Sequence, residues 1–272
     1  MQRKIETDYT AAKALSFLDS RPMWPYPKII AHRGGGTLAP ENTLAAMRCG
    51  LSYGFRAVEF DVMLSRDSVP VLVHDPKLGR TVKGAGNVSD FTAAELTVMD
   101  AGNWFGAAFA GEPVPAYEQV YRFCSDNKLW MNVEIKPAPG FEQETGCVVA
   151  ELTRRWLTAD GCDADPGARI LFSSFSYAAL AAAQAAAPEI PRGYLTDAIR
   201  ADWRAQLDEL GAVALHTNQK YLSAKQAKAV TAAGFGLFCY TVNDPARARK
   251  ILSWGVDAFC TDRIDLIGPD FS

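Results

Sequence analysis

A regular alternation between short apolar runs and helical segments constrains this chain more than any other feature. Eight apolar runs predict strands, and stretches with helical spacing separate most of them. Such alternation is typical of a parallel sheet with helices packed against it, and a count of eight favours a barrel. The predicted strands cover residues 28–31, 57–62, 130–136, 169–173, 192–195, 212–216, 236–241 and 258–261, and the predicted helices cover 44–51, 117–127, 143–157, 177–187, 198–210, 223–233 and 245–254.

The segment between the second and third of these strands breaks the alternation. Residues 69–73 form a further extended run, which ends on His74 and Asp75. Residues 76–115 are rich in glycine and aromatic residues and contain a short helical turn near residues 89–96. We therefore predict an α/β fold, a (β/α)8 TIM barrel with a small insertion (about 76–115) after the second strand.

The length and composition indicate one large domain. The chain has 272 residues, of which 49% are hydrophobic, and barrels of this class often reach about 250 residues as one unit. We place the domain at residues 23–272 and expect residues 1–22 to be an N-terminal extension. The net charge of −3 and the lack of a Lys/Arg-rich run exclude a broad electrostatic surface for nucleic acid.

Hydropathy and cysteine spacing indicate the compartment. No apolar stretch in the sequence is long enough for a signal-peptide core or a membrane span, so we expect a cytoplasmic protein without a membrane partner. The six cysteines show no C-x-x-C spacing, and several lie within apolar runs. We therefore expect buried free thiols rather than a metal site or a disulfide framework, in agreement with a reducing compartment.

Three carboxylates are expected to share the mouth of the barrel. Glu59 and Asp61 lie on one face of the second strand, and Glu134 lies on the polar face of the strand Asn132–Lys136. Because converging carboxylates repel one another unless a cation compensates them, we assign these three residues as metal ligands. Oxygen ligands suit a hard divalent ion, most of all Mg²⁺, with Ca²⁺ or Mn²⁺ as alternatives. A salt-bridge cluster with Lys136 and Arg33 is the structural alternative.

Two histidines at strand ends are candidates for acid/base catalysis. His32 and His74 titrate near neutral pH, so one can accept a proton while the other donates one. Arg33 and Lys136 are candidates for substrate binding, since both can bind the oxygens of an anionic group such as a phosphate, Arg33 by its bidentate fork. A surface ion pair remains an alternative for Arg33.

Other polar and aromatic residues near predicted strand ends have less specific assignments. We expect Glu41 and Asn42 chiefly to start the first helix, with orientation of the catalytic loop as a second role. His216 ends the sixth strand, where it can reach the pocket or serve as a satisfied core or rim histidine. Tyr240 and Trp104 are candidates for the alcohol side of the pocket, although aromatic residues in apolar runs usually belong to the core.

Several sequence motifs resemble one known family. The segments HRGGGTLAPENT, EFDV, VPVLVHD and NVEIKP resemble the glycerophosphodiester phosphodiesterases, and WPYP, DAGNWF and CTDRIDLIGPDF resemble the bacterial cytoplasmic type. The resemblance extends from Trp24 to Phe271. It departs from the family at Ser68, where the usual loop reads Asp-Gly, and we expect that difference to affect only a turn.

The resemblance implies a TIM barrel that hydrolyses glycerophosphodiesters to sn-glycerol 3-phosphate and an alcohol such as choline or ethanolamine. It also implies that His32 and His74 are catalytic. We expect His32 to remove the proton of the glycerol 2-hydroxyl and His74 to protonate the departing alcohol. A cyclic phosphate would then be opened by water, with direct attack by water as the alternative.

Two other function classes remain open from the sequence. A related barrel lipase, of the phosphoinositide phospholipase C or sphingomyelinase D type, needs access to a lipid surface, and no basic amphipathic helix is evident in the sequence. A non-catalytic phosphodiester-binding module would be indicated by the loss of a histidine or a metal carboxylate. The partner expected is a small-molecule glycerophosphodiester, and association into a homo-oligomer stays open.

Overall fold

The computed structural model describes residues 24–272, and its centre is a closed barrel of eight parallel strands. The strand order is β1-β9-β8-β7-β6-β5-β4-β2-β3, and the pairing of β1 with β2 closes the barrel. The (β/α)8 TIM barrel is confirmed, whereas the expected extension at 1–22 lies outside the described residues. The strands are β1 (Ile29–Ala31), β2 (Ala57–Leu64), β3 (Pro70–Leu72), β4 (Trp130–Ile135), β5 (Ile170–Ser174), β6 (Arg192–Thr196), β7 (Ala214–Asn218), β8 (Gly236–Tyr240) and β9 (Ala258–Thr261).

Several of the helices between the strands begin at polar caps. Side chains of Thr43, Ser176 and Ser223 each accept a backbone N–H of the following first turn. The helix predicted at 198–210 is shorter than expected, and the preceding loop turns as the Thr196 hydroxyl donates to the Ala198 carbonyl. The α-helices are α1 (Leu44–Ser52), α2 (Ala93–Leu96), α3 (Tyr117–Asp126), α4 (Glu142–Ala159), α5 (Tyr177–Ala186), α6 (Trp203–Glu209), α7 (Ala224–Ala232) and α8 (Pro245–Leu252).

Strand β3 does not belong to the barrel. It pairs antiparallel with the end of β2, with Met63 opposite Val71, so that the two form a hairpin. Ser68 lies in the turn with a φ of 57°, a conformation that glycine adopts most easily, in agreement with the glycine of the family loop. The hairpin returns the chain towards the barrel and places His74 two residues beyond β3.

The insertion that follows β3 has a hydrophobic core of its own. It contains α2 and two short 3₁₀ helices, Val88–Asp90 and Ala107–Phe109. Its apolar side chains pack on the β2–β3 hairpin, so the insertion and the hairpin form one layer beside the barrel. This core consists of Met63, Val71, Val73, Val82, Val88, Leu96, Ala101, Val114 and Ala138.

The floor of the barrel is apolar. Trp24 and Tyr26 pack at the start of the strands, and the rings of Tyr26 and Trp130 lie 5.4 Å apart. Side chains of Ile30, Leu171, Phe238, Ala258 and Cys260 extend this cluster. Polar side chains are therefore concentrated at the opposite, carboxyl-terminal end of the strands.

The cysteines are all free, as predicted, but only three of them, Cys124, Cys239 and Cys260, are buried. Within the described part of the chain, no helix is both long and apolar enough to cross a membrane.

Candidate active site

Three carboxylates meet at the carboxyl ends of β2 and β4. Asp61 is in register with Glu134, and Glu59 lies on the same face of β2. One oxygen of each carboxylate lies within 4.8 Å of the others, and Glu59 and Asp61 are buried. These three residues, which were expected to share the mouth of the barrel, could hold a metal ion.

The pKa values of the three carboxylates are shifted in different directions. Burial, together with the charge of Asp61, raises the pKa of Glu59 to about 7 and the pKa of Glu134 to about 8. Burial also opposes ionisation of Asp61, but Lys136 and Arg33 outweigh it and hold the pKa of that carboxyl below its usual value. Without added positive charge, burial and the neighbouring Asp61 therefore oppose ionisation of Glu59 and Glu134.

His32 follows β1 and contacts two carboxylates. Its Nδ1 lies 2.5 Å from Oδ1 of Asp262, and its Nε2 lies 3.7 Å from Oε2 of Glu59. Asn243 donates to the second oxygen of Asp262 at 2.8 Å, which fixes that carboxylate. Burial lowers the pKa of His32, but Glu59 and Asp262 together hold it above its usual value.

His74 has a similar arrangement and lines the same pocket. Its Nδ1 lies 2.7 Å from Oδ1 of Asp75, and its pKa is lowered by burial and by the charges of Arg33 and Lys136, which outweigh Asp61 and Asp75. Each histidine thus has a carboxylate at Nδ1, which leaves Nε2 as the ring nitrogen for a substrate.

The sequence motifs assign no role to either aspartate partner. Asp75 is adjacent to His74 in sequence, and this adjacency is a signal that could have identified it. Asp262 lies at the end of the last predicted strand but is 230 residues from His32, so only closure of the barrel brings them together.

The two cations contact the carboxylate cluster. Lys136 Nζ lies 3.2 Å from both Asp61 and Glu134. Arg33 donates from its backbone N–H to Glu59 at 3.1 Å and from Nη1 to Glu41 at 2.7 Å, and its Nε lies 3.5 Å from Asp61. Both side chains line the same pocket as the histidines.

Residues Glu41 and Asn42, in the loop between β1 and α1, contact the site and do not cap helix α1. The helix cap is Thr43, so the expectation that Glu41 and Asn42 chiefly start the helix is wrong. Glu41 accepts from Arg33, and Asn42 donates to Oδ2 of Asp61 at 2.9 Å while accepting from the Asp61 backbone N–H at 3.1 Å. Asn42 therefore fixes the orientation of Asp61.

The pocket has a volume of about 170 Å³ and one apolar wall. Tyr240 lies on this wall, where its ring packs 5.6 Å from that of Phe175. Trp104 lies elsewhere, in a groove of the insertion. The lining consists of His32, Arg33, Glu59, His74, Asn132, Glu134, Lys136, Ser173, Phe175, Leu195, Phe238, Tyr240, Thr241 and Cys260.

His216 does not line the pocket. It is buried on β7 and stacks on Phe238 at 4.4 Å, and neither ring nitrogen has a hydrogen-bond partner. Burial lowers its pKa to about 3. His216 is therefore a neutral core side chain rather than a catalytic or a satisfied one.

Comparisons with known proteins by sequence and by structure match this chain to the same family. The sequence model of the glycerophosphoryl diester phosphodiesterase family matches residues 32–266 of this chain. A glycerophosphodiester phosphodiesterase of Caldanaerobacter subterraneus subsp. tengcongensis is 30% identical over 239 residues, which cover 86% of this chain and 93% of that protein.

Solved structures show the same barrel. A phosphodiesterase of Oleispira antarctica, in complex with the product sn-glycerol-3-phosphate, is 37% identical with a TM-score of 0.78, over 87% of this chain and 93% of that one. A glycerophosphodiester phosphodiesterase of Thermotoga maritima is 25% identical with a TM-score of 0.69, over 89% and 96% of the two chains.

The barrel and the titratable side chains at its mouth define a TIM-barrel enzyme. The family match over most of the chain then defines the kind of enzyme. The chain belongs to the glycerophosphodiester phosphodiesterase family, as its sequence motifs predicted.

Proposed function

We propose that this protein hydrolyses glycerophosphodiesters, such as glycerophosphocholine and glycerophosphoethanolamine, to sn-glycerol 3-phosphate and a free alcohol. Family membership supports the reaction, and the product bound to the Oleispira antarctica enzyme supports the substrate class. The observation that carries the proposal is the convergence of two histidines, two cations and a carboxylate cluster on one pocket. The free cysteines support a cytoplasmic location, since thiols persist in a reducing compartment.

The carboxylate cluster fits a divalent cation. Its donors are hard oxygens, and burial together with the charge of Asp61 raises the pKa values of Glu59 and Glu134, an effect that a bound cation would offset. We propose that Glu59, Asp61 and Glu134 bind Mg²⁺, with Ca²⁺ or Mn²⁺ as alternatives. When bound, the cation supplies positive charge that lowers the pKa of a substrate hydroxyl and offsets charge at phosphorus.

The first step of the proposed mechanism is an internal attack on phosphorus. Arg33 and Lys136 bind the non-bridging oxygens, and Nε2 of His32 removes the proton of the glycerol 2-hydroxyl. The hydroxyl oxygen bonds to phosphorus while the bond to the alcohol oxygen breaks. Nε2 of His74 donates a proton to that oxygen, so the alcohol leaves neutral and a cyclic phosphate remains.

Water completes the proposed reaction with the two roles exchanged. His74, now neutral, removes a proton from water as the water attacks phosphorus, and His32 returns its proton to the 2-oxygen of glycerol. Both histidines then have their starting protonation. An ester without the 2-hydroxyl distinguishes this route from direct attack by water, because only direct attack would hydrolyse it at an undiminished rate.

The pKa directions bear on which histidine is the base. When no cation offsets the charge of Glu59, the pKa of His32 is raised and the pKa of His74 is lowered. These directions favour His32 as the protonated histidine. Neutralisation of Glu59 by a cation removes one of the carboxylates that raise the pKa of His32. A bound phosphodiester anion raises the pKa of His74. Both changes favour the proposed direction, and exchanged roles are the alternative.

Phosphorus NMR tests the proposed function directly. We expect glycerophosphocholine to be converted to glycerol 3-phosphate, intact phosphatidylcholine to remain, and chelator to stop the reaction. Turnover of the intact phospholipid would favour the lipase alternative. Binding of glycerophosphocholine without turnover in the presence of Mg²⁺, Ca²⁺ or Mn²⁺ would favour the non-catalytic alternative.

A further inference from the structure

Arg80 of the insertion contacts two carboxylates, Asp75 and Glu41, that are partners of pocket residues. Its Nε donates to Oδ2 of Asp75 at 2.5 Å, and its Nη1 and Nη2 donate to the two oxygens of Glu41 at 2.8 and 2.7 Å. All three nitrogens of one guanidinium are therefore used on two carboxylates. This planar fork is an arrangement that arginine provides and lysine does not.

Each of these carboxylates has a second contact inside the pocket. The other oxygen of Asp75 lies 2.7 Å from Nδ1 of His74. One oxygen of Glu41 also accepts from Nη1 of Arg33 at 2.7 Å. The continuous chain of contacts runs His74–Asp75–Arg80–Glu41–Arg33, and it crosses from the insertion to the loop between β1 and α1.

We propose that Arg80 is a positioning residue that sets the orientation of His74 through Asp75 and of Arg33 through Glu41. The inference rests on the proposed function, in which His74 protonates the leaving alcohol and Arg33 binds the phosphate. Arg80 itself does not line the pocket of the two histidines. Its effect on catalysis is exerted through the two carboxylates that it holds.

The contacts of Arg80 explain how its loss would affect His74 and Arg33. Without Arg80, Asp75 and Glu41 each lose a charged partner, and each carboxylate can rotate away from its contact in the pocket. The His74 ring then loses the hydrogen bond that fixes its tautomer and its direction. Arg33 keeps its contacts with Glu59 and Asp61 but loses the fixed partner of Nη1.

Arg66 provides a matched control. Its Nη1 donates to the Asp90 carbonyl at 2.9 Å and its Nη2 lies 3.4 Å from Glu95, so it also joins the β2–β3 turn to the insertion. Its side chain does not line the pocket. Arg66→Ala therefore removes an arginine contact of the insertion without a change at His74 or Arg33.

The test compares Arg80→Ala, Arg80→Lys, Asp75→Asn and Arg66→Ala with the unaltered enzyme on two substrates. One is glycerophosphocholine, and the other is the p-nitrophenyl ester of glycerol 3-phosphate, whose phenolate leaves without a proton. For Arg80→Ala we expect kcat on glycerophosphocholine to fall about 10- to 100-fold and kcat on the aryl ester to fall less. KM should rise for both substrates, because Arg33 serves both.

This chain of contacts predicts three further results. Arg80→Lys should recover only part of the loss, since one ammonium cannot hold both carboxylates. Arg80→Ala combined with Asp75→Asn should reduce kcat on glycerophosphocholine little more than Asp75→Asn alone, because both act on His74. Arg66→Ala should leave kcat on both substrates within about twofold of the unaltered enzyme.

Proton NMR of the His74 ring supplies a measurement that does not need turnover. We expect the Nδ1–H signal of His74 to be present in the unaltered protein and in Arg66→Ala, and to be lost or shifted in Arg80→Ala. Equal losses of kcat on both substrates with an unchanged His74 signal would overturn the proposal. If the unaltered enzyme hydrolyses neither substrate, the proposed function fails, and the NMR result still decides whether Arg80 positions His74.

Discussion

At the scale of single residues, the pocket is organised around two histidine–aspartate pairs. Asp262 holds His32 and Asp75 holds His74, each through Nδ1, so that Nε2 is the remaining nitrogen of each ring in the shared pocket. Such a pair lets one group remove a proton while the other supplies one, and the direction depends on which side each ring faces.

Removal of either imidazole is expected to lower turnover without unfolding the domain. His32→Ala and His74→Ala should each reduce kcat on glycerophosphocholine about 10²- to 10⁴-fold, the usual contribution of a positioned acid or base. Circular dichroism and thermal melting of each variant should remain close to those of the unaltered enzyme. A variant with near-native turnover would identify its histidine as structural.

The leaving group separates the two histidines. His74→Ala should reduce kcat more on glycerophosphocholine than on the p-nitrophenyl ester, because choline leaves as an alkoxide that needs a proton. His32→Ala should affect both substrates alike, since the attacking hydroxyl loses its proton in either case. The comparison uses steady-state kcat for two variants and two substrates, and a selective rescue of His32→Ala by the aryl ester would show that the roles are exchanged.

The carboxylate cluster is expected to make stability without metal depend on pH. Glu59 and Glu134 have pKa values raised to about 7 and about 8 in the folded protein, against 4.5 as the ordinary value. The folded state therefore holds more protons than the unfolded state between these values, so stability in chelator should fall as pH rises from about 5 to about 8.

Glu134→Gln tests this dependence. The amide cannot ionise, so the variant should melt at a higher temperature than the unaltered protein at pH 8 in chelator, while its Mg²⁺ affinity by calorimetry should fall at least tenfold. Near pH 5 the two melting temperatures should converge. A variant that melts lower than the unaltered protein at pH 8 would mean that the cluster stabilises the fold without a cation.

At the scale of elements, the loops that leave the strands determine the geometry of the site. The loop after β1 folds back on the end of β9, where the Thr37 backbone N–H donates to the Asp262 carbonyl at 2.8 Å. Gly36 allows the loop to come this close to Asp262. Its φ is 54°, and a Cβ at this position would lie 2.1 Å from the Asp262 carbonyl oxygen. The glycine therefore helps to place Asp262 against His32.

Gly36→Ala should disturb both stability and turnover. We expect a loss of about 1–3 kcal/mol in the free energy of unfolding from the steric overlap, and a fall in kcat because Asp262 moves relative to His32. Gly268→Ala is the control, since this glycine has an ordinary φ and open space around it. Urea unfolding and kcat of both variants give the comparison, and equal behaviour of the two would exclude the role of Gly36.

At the scale of the whole molecule, the barrel encloses a histidine that has no catalytic contact. His216 is buried against Phe238, and its pKa is lowered to about 3 by burial. The unfolded chain binds a proton at this residue below about pH 6.5 and the folded protein does not. Stability should therefore fall as pH decreases from about 6.5 towards 3, by up to about 1.4 kcal/mol per pH unit from this residue.

His216→Met removes this titration while it keeps an adaptable apolar side chain in the core. The free energy of unfolding of the variant, measured by urea between pH 4 and pH 7, should decrease less steeply with acid than that of the unaltered protein. An unchanged slope would show that His216 is protonated in the folded state.

The sequence by itself determined the features that depend on local periodicity. Alternation along a strand assigns each side chain to a face, so the sequence predicts that Glu59 and Asp61 share one face of β2 and that Glu134 lies on the polar face of β4. The pairing of β2 with β4 brings the three carboxylates together. The eight barrel strands and most helices followed from the same local patterns, because apolar spacing and capping residues act within a few positions of one another.

The tertiary structure alone decided which distant groups meet. The partner of His32 is 230 residues away, and the two carboxylates that Arg80 joins are separated by the whole of β2 and its hairpin. β3 proved antiparallel, because its pairing depends on the turn at Ser68 rather than on its own pattern. Local periodicity gives the direction of a side chain, whereas its partners depend on closure of the barrel and on the path of the loops.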